Sequence, residues 1–119
     1  MKNENNGDEK MYNEPTEEEL SKVPGLYKTE STPLSEKNVY FHFFCGNSDW
    51  WILEYDPKDR LFFGIAKIFV HELGYISFDE MKEVKALGVM EVDRDINFKV
   101  KKVKEIEELK KWLKEYEDI

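Results

Sequence analysis

The fold is decided by residues 38–70, which read NVYFHFFC, GNSD, WWILEYD, PKDR and LFFGIAKIFV in order. Aromatic and branched side chains dominate the first, third and fifth pieces, and these residue types favour strands. Gly, Asn, Asp and Pro fill the short pieces between them, as they do in turns. Connections this short do not allow parallel crossovers. The stretch therefore predicts an antiparallel meander with strands over residues 38–45, 50–56 and 61–70.

Weaker strand patterns lie on both sides of the meander. The candidates are residues 26–30, 75–76, 89–92 and 96–100. Inside the third strand, Gly64 indicates a β-bulge or a close approach of two backbones, because glycine weakens a strand that has no such need.

Two capping boxes mark short helices, because each box satisfies free backbone N–H groups at a helix start. Thr16 with Glu19 predicts a helix over residues 16–23, and Ser77 with Glu80 predicts one over residues 78–87. Gly88 stands where a left-handed C-cap belongs.

A third helix is predicted over residues 103–117, where apolar side chains recur at steps of three and four. The apolar stripe is Val103, Ile106, Leu109, Leu113 and Tyr116, widened by Trp112. The apolar face of a sheet must be buried against another element, so we expect this helix to pack on the sheet. The prediction is thus an α+β fold: a small antiparallel meander packed with a short helix and a C-terminal amphipathic helix.

The ends of the chain differ from its middle in composition. Residues 1–14 are polar and acidic, so we predict a disordered tail there and a single α+β domain over residues 15–119. The net charge is −8 over 119 residues, with −5 in residues 1–20, −4 in residues 21–98 and +1 in residues 99–119. Such an acidic body argues against general nucleic-acid binding and is compatible with a basic protein partner.

The sequence shows no targeting or cross-linking signals. It has one cysteine, Cys45, so an internal disulfide is excluded. The N-terminal residues carry no signal peptide, and no apolar run reaches the roughly 20 residues that span a bilayer. We expect a cytoplasmic protein that has no membrane contact.

Known catalytic signatures are absent, so we predict no catalytic residue, no cofactor and no metal. The one acid–base candidate combines Glu54 and Asp56 at the end of the second strand with His71 and Glu72 after the third. Adjacent antiparallel strands put these two groups at opposite ends of the sheet, which weakens a shared site. Arg94, between Asp93 and Asp95, forms an ion-pair turn or clamps a ligand carboxylate or phosphate.

Four further features have both a structural and a functional interpretation. His42 is expected to be partly buried and bonded to backbone or tyrosine, and Cys45 to be a small core residue. Trp50 and Trp51 point to opposite sheet faces, and an exposed member of the pair would be an interface anchor. A last group is basic and is either a solvated linker or a phosphate contact: Lys99, Lys101, Lys102 and Lys104.

Several strings in the folded body resemble, in their order, the family known as domain of unknown function 2958. They are LYKTESTPLSEK (residues 26–37), FF (43–44), WW (50–51), EYD (54–56), LFFG (61–64), ELGYIS (72–77) and EVDRD (91–95). The resemblance implies a small protein of the kind encoded on plasmids, phages and conjugative elements. The resemblance implies no activity and no catalytic residue for this chain.

Three functional hypotheses follow. The favoured one is a non-enzymatic protein-binding module, an accessory of a mobile element or phage that inhibits a host defence nuclease of the restriction or CRISPR type. Its partner would be a nucleic-acid-handling host enzyme, and its binding residues would come from Trp50, Trp51, Glu54, Asp56, Glu72 and Arg94. The second is a small enzyme or ligand-binding domain built on the carboxylates and His71. The third is nucleic-acid binding through the lysines between residues 99 and 104.

Overall fold

The computed structural model describes residues 11–86 and 88–117, and its centre is a five-stranded antiparallel sheet. The strands are β1 (Asn38–Val39), β2 (Phe41–Cys45), β3 (Ser48–Asp56), β4 (Leu61–Lys67), β5 (His71–Ser77), β6 (Lys85–Ala86), β7 (Met90–Glu91), β8 (Asp93–Arg94) and β9 (Lys101–Lys102). The helices are α1 (Glu17–Leu20), α2 (Phe78–Lys82) and α3 (Lys110–Glu117). The large sheet has the order β5-β4-β3-β2-β8, while β1 pairs with β9 and β6 with β7. None of the helices in these ranges is long and apolar enough to cross a membrane.

The predicted α+β fold and its antiparallel meander are confirmed, with changes at the strand ends. β3 begins two residues early, which leaves Gly46 and Asn47 as the whole turn; Gly46 has a φ of 59°, as tight hairpin turns require. The third strand ends at Lys67 because residues 68–70 turn the chain. The fourth strand, β5, is seven residues long rather than two.

Four predicted elements are wrong or shorter because tertiary contacts override the local pattern. Residues 38–45 split at Tyr40, since β1 leaves the large sheet to pair with β9. Residues 26–30 form turns instead of a strand, and residues 96–100 contain no strand. The helix after Ser77 ends at Lys82, and Gly88, at φ 75°, lies between β6 and β7 instead of capping it.

The last helix also differs from its prediction. Residues 103–109 form two short 3₁₀ turns that are separated by the extended backbone of Ile106, and only α3 is α-helical. The apolar stripe nevertheless packs on the sheet as expected, since Val103, Ile106, Leu109 and Leu113 are all buried.

The acidic segment before α1 takes part in the fold from Met11 onward. Met11 is buried in the core, Tyr12 forms a parallel bridge to Asp93, and the Asn13 amide donates to the Asp93 carboxylate at 2.9 Å. The predicted tail boundary is therefore wrong for residues 11–14, and the rest of that prediction lies outside the described residues.

The large sheet is covered on both faces, so the chain has two hydrophobic clusters. The first cluster packs α1, α2 and the segment from Met11 against one face and includes Phe41, Phe43, Cys45, Trp50, Ile52, Tyr55, Phe62 and Phe78. The second packs the C-terminal segment against the other face and includes Val39, Trp51, Leu53, Ile65, Val103, Ile106, Leu109 and Leu113. The central strand β3 contributes to both, because its residues from Trp50 to Tyr55 are all buried.

Candidate functional site

A β-bulge in the centre of the sheet sets up the site. Ile52 pairs with Gly64 and Glu54 with Phe63, so Leu53 is an extra residue in β3. Bulges of this kind re-aim the side chains that follow them. Leu53 packs in the second cluster and Tyr55 in the first, which leaves Glu54 on the second face together with Leu53.

Gly64 is the residue that permits this bulge. A Cβ atom at this position would lie 2.1 Å from the carbonyl oxygen of Trp51, closer than any side chain can approach. Both alternatives that the sequence offers for Gly64, a bulge and a close backbone approach, are therefore confirmed.

Glu54 uses its buried carboxylate to anchor a loop. Its side chain accepts hydrogen bonds from the Tyr27 N–H at 2.9 Å, the Thr29 N–H at 3.2 Å and the Thr29 hydroxyl. The Lys37 ammonium donates to the Thr29 hydroxyl oxygen at 2.9 Å and also to the Thr29 carbonyl. Glu54 is only 4% exposed, and these donors compensate the burial of its charge. We call residues 26–30 the anchored loop.

The anchored loop holds Tyr27 in a conformation that tyrosine rarely adopts. Its φ is 70°, in the left-handed region, which costs an L-residue roughly 1–2 kcal/mol. The hydrogen bond from its N–H to Glu54 helps to hold this conformation, and the Tyr75 hydroxyl donates to the Tyr27 hydroxyl at 3.1 Å. The hydrogen bond to Tyr27 raises the pKa of Tyr75, with a smaller contribution from burial.

Around these groups lies a cleft of about 330 Å³, which we call the tyrosine cleft. Its lining combines apolar, hydroxyl and charged side chains: Tyr27, Glu30, Leu34, Lys37, Glu54, Phe63, Leu73, Tyr75 and Tyr116. The three tyrosines are 60%, 53% and 42% exposed, in chain order. The cleft therefore presents three amphipathic rings above an apolar floor and a satisfied buried carboxylate.

An aromatic stack connects this cleft to the far end of the sheet. Ring centroids follow one another at 5.2 Å from His42 to Trp51, 6.0 Å to His71, 5.9 Å to Trp112 and 5.1 Å to Tyr116. The last two residues belong to α3, so the stack holds α3, and with it Tyr116, against the sheet. His71 is a spacer in this stack.

His42 begins the stack and lies between two carboxylates. Its Nε2 is 2.8 Å from Asp49 Oδ1, and its Nδ1 is 3.4 Å from Asp95 Oδ2. Burial lowers the pKa of His42, but the hydrogen bonds to Asp49 and Asp95 outweigh it, so the net shift is upward. The expectation of a partly buried histidine is confirmed, whereas the expected backbone or tyrosine partner is wrong.

The two histidines are expected to titrate on opposite sides of the ordinary histidine pKa of 6.5. Burial and the charge of Lys67 lower the pKa of His71, while the carboxylates raise that of His42. Histidine side-chain NMR signals followed against pH would separate the two. Replacing Asp49 with asparagine should lower the pKa of His42 and leave that of His71 below 6.5.

The sign of each shift fixes its effect on stability. The stabilising contribution of His42 is complete below its unfolded-state pKa and is lost as the pH rises through its folded-state pKa. For His71 the contribution is complete above the unfolded-state pKa and is lost as the pH falls through the lower folded-state value. Coincident titrations, or a higher pKa for His71, would contradict this assignment.

The other residues of the acid–base candidate do not converge. Asp56 accepts from the Lys58 N–H at 3.1 Å and so stabilises the β3–β4 turn. Glu72 is exposed on β5. His71 pairs with Lys67 and Glu54 with Phe63, which places the two at different ends of β4, as the sequence predicts. Only Glu54 of this group lines the tyrosine cleft.

Contacts within the chain occupy Arg94 and bury both tryptophans. Arg94 makes two hydrogen bonds to Glu19, at 3.0 and 2.8 Å, and lies over the Phe41 ring. The hydrogen bonds from Arg94, with a smaller contribution from the hydrogen bond of the Thr16 backbone N–H, lower the pKa of Glu19 to about 2. Trp50 and Trp51 do point to opposite faces, but they are 3% and 2% exposed. Neither indole is therefore available as an exposed interface anchor, because both faces of the sheet are covered.

The lysines between residues 99 and 104 are partly neutralised. Lys102 and Lys104 both contact the Glu36 carboxylate, at 2.9 and 2.7 Å. The hydrogen bonds from Lys104 and then Lys102 lower the pKa of Glu36 to about 2. The Lys101 ammonium lies 5.3 Å from the centre of the Phe98 ring. Two of the four charges are thus turned toward a carboxylate of the same chain.

The residues that sequence reasoning missed are the tyrosines of the cleft. Tyr27, Tyr75 and Tyr116 come from three distant parts of the chain, and no local pattern joins them. The one usable signal was Glu54, a charged residue between Leu53 and Tyr55 in the middle of a hydrophobic run, which must find partners when it is buried.

The comparisons with known proteins identify a family. The family model described as "protein of unknown function (DUF2958)" matches residues 26–116, which include every residue that lines the tyrosine cleft. No curated protein matches the chain, and no solved structure matches it either. Since the match covers most of the sequence and agrees with the resemblance found in its strings, the chain belongs to the DUF2958 family.

Proposed function

We propose that this protein is a small protein-binding module and that its partner binds at the tyrosine cleft. The observation that carries the proposal is the group of three exposed tyrosines around one apolar floor. Tyrosine is enriched at the centres of protein interfaces because it offers a large apolar ring and a hydroxyl on a side chain with few rotatable bonds.

The preorganisation of the cleft supports this proposal. Glu54 fixes the anchored loop, the aromatic stack fixes α3, and two of the three hydroxyls bond to each other. Side chains that are ordered before binding lose less entropy in the complex. This argument favours a binding surface over an active site, because both histidines, Asp56 and Glu72 lie outside the cleft.

We propose further that the partner carries a basic surface, since the chain has a net charge of −8. A nucleic-acid-handling host enzyme has such a surface. The specific form of the proposal is an accessory of a mobile element or phage that inhibits a host defence nuclease by occupying its nucleic-acid groove.

The test combines affinity purification from the native host with quantitative mass spectrometry and a nuclease assay. The triple variant Tyr27→Ser, Tyr75→Ser, Tyr116→Ser should lose the recovered partner and any inhibition. The matched control is Tyr12→Ser, because Tyr12 is at least as exposed as the three cleft tyrosines but does not line the cleft. A partner retained by the triple variant would contradict binding at the cleft, and a partner without nuclease activity would contradict the inhibitor form.

A further inference from the structure

The two edges of the large sheet are built differently. At one edge, β8 has only two residues and is bridged by Tyr12. At the other, β5 runs for seven residues in continuous register with β4, without a bulge or a proline, and Glu72 is its only carboxylate. Natural sheets usually protect a long edge with charge, proline, a bulge or a covering segment, because an open edge pairs with other strands.

The register shows which backbone N–H and C=O groups of β5 point away from β4. The Phe78 N–H donates to the Arg60 carbonyl at 3.0 Å, and this contact continues the register in which Leu61 faces Ser77. In an antiparallel ladder the hydrogen-bonded pairs alternate with non-bonded ones. The residues of β5 that point N–H and C=O away from β4 are therefore His71, Leu73, Tyr75 and Ser77. In the described part of the chain, no backbone group bonds to these outward groups.

We propose that β5 pairs antiparallel with β5 of a second copy of this chain, with the two-fold axis at Gly74. This register sets Leu73 opposite Tyr75 and His71 opposite Ser77, so all four outward residues meet outward residues. An apolar residue then faces an aromatic one, an arrangement that stabilises cross-strand pairs. Glu72 lies opposite Ile76 rather than opposite its own copy, so no like charges meet.

Two further observations fit the second copy rather than an unrelated strand. Gly74 falls on the axis, where non-bonded pairs approach most closely, and a Cβ atom there would meet nothing of its own chain within 4 Å. The same register carries Val70 toward the start of α2 in the second copy. Val70 ends the turn after β4, whose residues Ile68, Phe69 and Val70 are 50%, 91% and 63% exposed. The pairing thus offers this apolar turn a contact.

The first experiment is sedimentation equilibrium of the full chain over a range of concentrations, against the monomer mass of 14.3 kDa. Wild type should dimerise. Gly74→Lys and Gly74→Glu each set like charges opposite one another on the axis, so each alone should raise the dissociation constant roughly two- to fivefold. An equimolar mixture of the two should restore the dimer. Val89→Lys is the matched control, since Val89 is exposed between β6 and β7, which do not belong to the large sheet.

A second variant tests the register itself. In Gly74→Cys, two thiols would face each other across the axis, where the backbone separation suits a disulfide. The native thiol, Cys45, is buried and should not compete. Air oxidation should therefore yield a covalent dimer of Gly74→Cys but not of Val89→Cys.

The outcomes separate this proposal from the proposed function, on which it does not depend. A wild type that stays monomeric at every concentration overturns the pairing. Equal dissociation constants for the Gly74→Lys and Val89→Lys dimers would also overturn it. A monomer whose β5 captures an extended strand of another protein also overturns it, in favour of a foreign partner. Each of these results leaves binding at the tyrosine cleft intact.

Discussion

Replacing Gly64 with alanine is expected to destabilise the protein by about 3 kcal/mol, the upper end of the usual cost of overpacking. The new methyl group would lie 2.1 Å from the Trp51 carbonyl oxygen. That oxygen is part of the backbone and cannot rotate away as a side chain would. The substitution must therefore separate β3 from β4 or remove the bulge. Guanidinium denaturation followed by tryptophan fluorescence would measure the loss.

Gly74 supplies the control, because it is the residue that faces Gly64 across the ladder. A Cβ atom at Gly74 meets nothing within 4 Å. Gly74→Ala should leave the free energy of unfolding unchanged or raise it by up to about 1 kcal/mol, since alanine restricts the unfolded chain. Equal losses in the two variants would show that the close contact at Gly64 is not what the strand requires.

The second large effect is expected at Glu54. Glu54→Ala removes a carboxylate that is only 4% exposed, and with it the acceptor of two backbone N–H groups and one hydroxyl. Leaving buried donors without partners costs about 1–3 kcal/mol, and breaking a buried charge network costs more, so we expect a loss of about 3 kcal/mol. Because the carboxylate anchors the loop, trypsin should also cleave at Lys28 sooner.

Two comparisons sharpen the Glu54 experiment. Glu54→Gln keeps the shape and one acceptor oxygen, so its loss should be smaller than that of the alanine variant. Glu72→Gln changes an exposed carboxylate on a nearby strand and should stay within about 0.5 kcal/mol of wild type. If Glu54→Ala unfolds no more easily than Glu72→Gln, Glu54 does not hold the loop.

The meander could be predicted because its information is local. Alternating apolar residues, aromatic content and turn residues all fall within 33 neighbouring positions, and each hairpin joins strands that follow one another. The capping boxes at Thr16 and Ser77 are equally local, and both helix starts appear where they were expected.

The errors arise where distant segments decide the outcome. Strict alternation places Glu54 on the face of Trp50 and Ile52, and only the bulge opposite Gly64 turns it to the other face. Both tryptophans are buried because segments from both ends of the chain cover the two faces of the sheet, and no local pattern reports that covering. Tyr27 reaches Glu54 across 27 positions and Tyr75 across 48, and no local periodicity reports contacts at that separation.

Trp50 and Trp51 couple the unfolding of the two hydrophobic clusters. The two residues are neighbours in the chain, yet each is buried in a different cluster. A segment cannot leave one cluster without pulling its neighbour from the other, so neither layer can melt while the other stays whole. The protein should therefore lose both layers in a single cooperative transition, in which fluorescence and far-ultraviolet circular dichroism report the same midpoint.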